Sequence, residues 1–332
     1  MKNQLIVILM VLPLSSCSGN FLVDGADVSL FAWSGLSWKW VHSDLEEPAT
    51  RETIYEEQFG DGNTLRLHQS MCVYEDIAFC FNDGDECRVY NIHSKERLYS
   101  EPLPQTSHHN NAQFSHYFYD DHDQYPLLIL SRGDYPPNQN DFYVVRVSET
   151  DGMFDYSVVK TIHNSIVEAQ YGGSWVIDEE HERLFLYCMT AGDWRTKENN
   201  RFCVLSFRLP DISNPEDVTL SYDDVLERWE YTYLIGQGGT YFNGYLFFNV
   251  ESLETVDGKK VVSPKSVIAV NVSNGHVEVV LPLDDTKETE GICVFNNKLY
   301  VSFKEGTKDQ SPASIVFTLN EYSLPESIIN SY

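Results

Sequence analysis

Nine polar residues share one kind of position along this chain of 332 residues, each standing just ahead of an apolar, strand-like run. They are His68 and Gln69, His109 and Asn110, Glu168 and Gln170, Gln237, and Glu288 with Glu290. Imidazole and carboxylate groups brought to one point could hold a divalent cation such as calcium. Amides among them could instead hydrogen-bond a ligand, or all nine could line a water-filled channel. Asp120-Asp121-His122-Asp123 offers a second acidic cluster. It lacks the spacing and the glycine of a D-x-[DN]-x-[DN]-G calcium loop and reads better as a solvated turn. No cofactor is expected from these residues beyond that cation.

Catalytic signatures that would be legible are missing. There is no G-x-S-x-G, H-E-x-x-H or Walker loop, and Gly172-Gly173-Ser174 reads as the lead into a strand. With 50 acidic residues, no carboxylate pair stands out as a glycosidase acid and base. The net charge of −27 repels a phosphate backbone and excludes nucleic acid as a partner.

The elements that would position these groups are strands. Ile235 to Val250 leads through Gly236, Gln237, Gly238 and Gly239 into a short strand, an Asn243-Gly244 turn and a second apolar strand. Asn-Gly between apolar runs signals a tight hairpin, because both residues tolerate positive φ. Related units begin at His68, near Gln113, at Ala169 and at Thr289, and they recur roughly every 45–65 residues, the period of four-stranded propeller blades. In the first, fourth and fifth units, Gln69, Gln237 and Glu290 stand at the same distance before the turn residues Glu75, Asn243 and Asn296. Val158 to Ile162 and Asp217 to Leu220 are the expected outer strands of the second and third units. Helix signals are scarce; the best is Tyr222 to Trp229.

The fold expected is all-β, a β-propeller of five four-stranded blades over residues 63–325. The fifth unit lacks an outer strand, which Thr53 to Phe59 can supply, closing the ring with an N-terminal strand. If the hairpin bearing Trp33, Trp38 and Trp40 in the lead-in (18–62) formed a further blade, the count would be six. Residues 326–332 are a C-terminal tail. Trp229, Tyr231 and Tyr233 alternate as a strand packed on the wall would, though a sugar platform would alternate too.

At the N-terminus, Leu5 to Leu14 is an apolar run after Lys2, too short to span a membrane and typical of a signal peptide. Leu14-Ser15-Ser16-Cys17 resembles the bacterial lipobox, which implies a signal peptide over 1–17 and lipidation of Cys17. Ser18 in place of an aspartate points to the outer membrane, with the periplasmic or surface side open. The blade grammar of residues 53 to 325 resembles bacterial β-propeller lipoproteins of the broad NHL- and TolB-like superfamily. That resemblance implies a fold and an envelope-tethered, membrane-anchored module binding a glycan, a peptide or an envelope protein. A glycan-directed hydrolase or lyase working at the channel mouth is the alternative.

Of 7 cysteines, Cys17 is set apart by the lipobox. Cys80 and Cys87 flank one hairpin turn, and Cys188 and Cys203 flank its counterpart two units on. Cross-strand disulfides in both hairpins are one reading; buried free thiols are the other. Cys72 and Cys293 occupy equivalent places in their units.

Overall fold

The computed structural model describes residues 51–58, 68–105, 107–133, 140–167, 169, 171–193, 198–232, 234–235, 237–256, 259–262, 266–283, 288–305 and 316–330. The described strands form a five-bladed β-propeller. Blade one comprises His68–Tyr74, Ile77–Gly84, Cys87–Asn91 and Arg97–Ser100, from the axis outwards. Blade two comprises Ala112–Phe114, Leu128–Ser131, Phe142–Thr150 and Met153–Asn164. Tyr171–Asp178, Arg183–Asp193, Glu198–Arg208 and Glu227–Thr232 make blade three. Gly239–Phe242, Tyr245–Val256, Ser266–Asn271 and Val277–Pro282 make blade four. Blade five takes Glu288–Phe295, Lys298–Glu305 and Val316–Ser323 from the end of the chain and Arg51–Gln58 from its beginning.

The inner strands of the blades contact one another in a closed cycle, one to two to three to four to five and back to one. The cycle is complete with five, so the six-blade alternative is not adopted; the hairpin of Trp33, Trp38 and Trp40 lies outside the described residues. Closure comes from the N-terminal strand, as expected: it runs antiparallel to the third strand of blade five from Arg51↔Tyr322 to Gln58↔Val316.

Local chemistry explains the hairpins. In blade four, Asn243 (φ 46°) and Gly244 (φ 78°) are both left-handed, and so are Asn296 (φ 49°) and Asn297 (φ 60°) in blade five. Two such central residues give the turn whose twist matches the flanking strands. The apolar core divides into slabs lying between blades rather than within them. Val144 faces one neighbour and Val145 the other, and both are buried. This is why strands such as Leu128–Ser131 are apolar without alternation. In one slab the Phe79 ring of blade one meets the edges of Phe114, Tyr125 and Phe154 of blade two at 5.3, 5.7 and 5.4 Å. Burying one such ring is worth about 1.5–3 kcal/mol.

Two expectations are corrected. Val218–Leu220 is not the outer strand of blade three; it pairs parallel with the outer strand of blade two, Ile162↔Val218 to Asn164↔Leu220. Glu227–Thr232 takes the outer place instead, pairing with Glu198–Arg208. The helix expected over Tyr222 to Trp229 shrinks to a single 3-10 turn, Tyr222–Asp224, capped by Ser221. The strand that follows carries Trp229 and Tyr231 into the slab between blades three and four, where Trp229 stacks on Phe185. Aromatic packing there outweighs local helix preference.

Candidate ligand-binding mouth

Every inner strand begins at the same end of the ring, and glycines let the beginnings close on one another. A Cβ on Gly291 of blade five would lie 2.5 Å from the Met71 backbone nitrogen of blade one. One on Gly238 would lie 3.2 Å from the Glu290 carbonyl oxygen. The Gly238 N–H donates to the Asn110 carbonyl at 2.9 Å, and the Gly239 N–H donates to Asn111 Oδ1 at 2.9 Å. Asn111 Nδ2 in turn donates to the Trp175 carbonyl of blade three at 2.8 Å. Asn110-Asn111, just ahead of the inner strand of blade two, therefore bridges to blades three and four.

The sequence candidates meet at this end but differ in access. Gln69, His109, Asn110 and Glu290 are buried, whereas Gln237 is half-buried and Glu288 is exposed. His68 opens the inner strand of blade one opposite Asn82. Glu168, Gln170 and Cys17 lie outside the described residues. Gln69, His109, Asn110 and Glu290 are thus packed into the ring, and among the candidates whose burial is described Glu288 and Gln237 present surface. His109 Nε2 lies 3.1 Å from the Gly84 carbonyl, and its ring meets Phe81 edge-on at 6.3 Å. A histidine held in this way serves the join between blades one and two.

Lys304, which the strand pattern did not single out, organises the charges. Its Nζ lies 2.7 Å from Glu290 and 3.0 Å from Glu288. Burial works against the ammonium, but the two carboxylates prevail and hold its pKa above the ordinary lysine value. The ammonium stands where a cation bound between these carboxylates would have to sit. On the same side, Arg183–Asp193 with Glu198–Arg208, and Tyr245–Val256 with Lys259–Val262, run on beyond the start of their inner strands. These hairpins of blades three and four stand up beside the mouth.

At the opposite end, Asp123 is held by Arg146, whose Nε lies 3.0 Å from Oδ2. The Arg146 guanidinium also lies 5.2 Å from the Tyr119 ring centre. A cation is already in place beside the acidic run Asp120 to Asp123. The six described cysteines are buried free thiols. Cys80 faces Arg88 and Cys87 faces Phe81 in the strand register, so the two thiols leave opposite faces of blade one and do not bridge. Cys188 and Cys203 are direct partners, with sulfurs 3.6 Å apart and unbonded. Cys293 Sγ accepts the Val73 N–H at 3.3 Å, a link between blades five and one.

No family model matches the chain, and no curated protein matches it. Solved structures with a similar trace include glutaminyl cyclase from Myxococcus xanthus, 11% identical over 84% of this chain and 100% of that one, with a TM-score of 0.44. An exo-β-1,3-galactanase from Phanerochaete chrysosporium, solved with galactose, is 11% identical over 90% of this chain and 65% of its own, with a TM-score of 0.48. A glucose dehydrogenase is 10% identical over 83% of this chain and 100% of its own, with a TM-score of 0.43. Likenesses this remote carry no activity across to this chain.

Proposed function

We propose that this chain is an envelope-tethered β-propeller lipoprotein, anchored through Cys17 to the outer membrane, that binds a ligand at the mouth where its inner strands begin. The observation that carries this reading is the Glu290–Lys304–Glu288 triad, whose Glu290 backbone lies against Gly238, the residue after Gln237. The inner carboxylate is buried and charge-balanced, and the outer one is held in place by the same lysine while facing solvent. A fixed, exposed carboxylate with a neighbouring amide suits hydrogen-bond donors, which are sugar hydroxyls or the cationic groups of a peptide or envelope protein. Binding is favoured over glycan hydrolysis or lysis because Glu290 is enclosed with Lys304 and His109 is held between blades. Neither is free to pass a proton to a substrate.

The test uses the mature lipidated chain in detergent, applied to a glycan array and to a panel of cationic and anionic peptides. The double variant Glu288→Ala, Gln237→Ala serves as the comparison. The reading expects binding to a subset of glycans or cationic peptides that the double variant loses by at least about tenfold, with no turnover of the bound glycans. Binding that survives the double change would remove the mouth from consideration, and glycan cleavage would establish the enzyme alternative.

A further inference from the structure

The end of the ring opposite the mouth carries a denser set of ligand atoms. There the inner two strands of blade three are joined by Asp178-Glu179-Glu180-His181-Glu182. The Asp178 carboxylate is fully buried; Oδ1 accepts the His181 N–H at 3.1 Å, and Oδ2 lies 2.9 Å from His181 Nδ1. From blade four, the Tyr241 hydroxyl reaches within 3.5 Å of Glu180 Oε2 and 3.4 Å of His181 Nδ1. One ligand atom from each of Asp178, Glu180 and His181 falls within 4.8 Å of the others.

We infer that this turn is a binding site for a single divalent transition-metal ion of the zinc class, with Asp178, Glu180 and His181 as ligands and Tyr241 beside the ion. Spacing and donor chemistry agree on this. Two ligand atoms each about 2.0–2.2 Å from a zinc ion sit roughly 3 Å apart, and the Asp178 to His181 separation already has that span. An imidazole with two carboxylates selects zinc-like ions, whereas calcium asks for six to eight oxygens.

Charge gives an independent reason. Arg183 faces Asp178 across the strand pair, yet its guanidinium turns away to Ser206 at 2.8 Å and Glu227 at 3.1 Å. Between the two carboxylate ligands in sequence, Glu179 is held by blade two instead: its Oε2 accepts the His116 N–H at 2.6 Å and lies 3.1 Å from His116 Nδ1. The fully buried Asp178 carboxylate is thus left to the N–H and the ring of His181, with the Glu180 carboxylate beside them. A buried carboxylate without a full counter-charge is costly, and a divalent ion supplies what is missing. With Tyr241 beside it, the bound ion fastens the turn of blade three to the inner strand of blade four.

The deciding measurement is calorimetric titration of the untagged, chelator-treated full chain with zinc chloride and then calcium chloride. The expected result is one zinc per chain, weakened at least about tenfold in His181→Ala and in Glu180→Gln, with calcium failing to compete. Zinc should also raise the thermal midpoint of the wild type and not that of Glu180→Gln. Glu180→Gln keeps the Asp178 cap on the turn, so it decides the matter even if His181→Ala misfolds. The inference is overturned if the wild type takes up no zinc at one equivalent, if Glu180→Gln binds as tightly as the wild type, or if calcium displaces zinc at equal concentration.

Discussion

Replacing Gly291 by alanine would put a Cβ 2.5 Å from the Met71 nitrogen, 2.6 Å from Met71 Cγ and 2.8 Å from the Ser70 carbonyl carbon. Ordinary contact for such a carbon begins near 3.4 Å. Two of the three obstructing atoms are backbone, so no rotamer change relieves them. Blades one and five must instead separate locally, and the Val73 to Cys293 link across the same seam resists this. Overpacking of this kind costs about 1–3 kcal/mol, against which alanine recovers about 0.4–1 kcal/mol by stiffening the unfolded chain. The net expectation is a destabilisation of roughly 1–2 kcal/mol, or a fall in Tm of about 2–4 °C for each kcal/mol. Gly239→Ala is the internal comparison. Its Cβ meets only side-chain atoms, of Phe248 and Val176, at 2.9 Å. Those can swing aside, so its cost should be the smaller. Urea and thermal denaturation of both variants measure the difference. The reasoning fails if Gly291→Ala lies within about 0.5 kcal/mol of wild type, or if Gly239→Ala is the more damaging of the two.

Removing Lys304 as Lys304→Met leaves Glu290 buried without its ion and should cost about 3–5 kcal/mol in urea denaturation; adding Glu290→Gln should restore most of that, and a double variant as unstable as the single would refute the pairing. Mild oxidation of the folded chain with diamide should join Cys188 to Cys203 and leave Cys80 and Cys87 unjoined, as read by non-reducing peptide mapping. Burial raises the thiols of Cys72, Cys80 and Cys293, the last to about 12, above the roughly 8.5 of an unfolded chain. Below about pH 8.5 both states keep these protons and the stabilisation is complete; above it the unfolded chain loses them first, so stability should fall from there towards pH 12. Cys293→Ala should shallow that fall, seen as a flatter plot of urea midpoint against pH.

The blades were legible because turns and apolar runs write their geometry locally. Asn243-Gly244 and Asn296-Asn297 mark hairpins, and strands covered on both faces cannot hide their composition. The outer strand of blade three was legible as a strand, in the alternation of Trp229 and Tyr231, but not in its place within the blade. Glu227–Thr232 mixes charge with aromatics, and a weaker apolar run at Val218–Leu220 looked more strand-like while belonging to the edge of blade two. The common end at which the inner strands begin could be read from the sequence, but access could not: Gln69 and Glu288 look alike in sequence, and only packing distinguishes the buried residue from the exposed one. Lys304 was missed because its partners lie on the neighbouring strand, in the register Glu288↔Lys304. The Asp178 turn was passed over for a similar reason, since Tyr241 reaches it only through the packing of blade four on blade three. An acidic turn with a histidine at its third following position was the one available signal.

Arg51–Gln58 is the first described strand to be synthesised, and its partner Val316–Ser323 is the last. The ring therefore stays gapped until nearly the whole chain has emerged, however stable the earlier blades are. Joining ends so far apart adds little to the equilibrium cost, because closure entropy grows only logarithmically with loop length. Its weight falls on timing, since contacts this distant in sequence form late. Meanwhile an unpaired strand must wait without joining the same strand of another copy. Its sequence, RETIYEEQ, carries three glutamates in eight residues. Like charges meeting edge to edge repel, so the strand that completes the ring is also built to wait for its own blade.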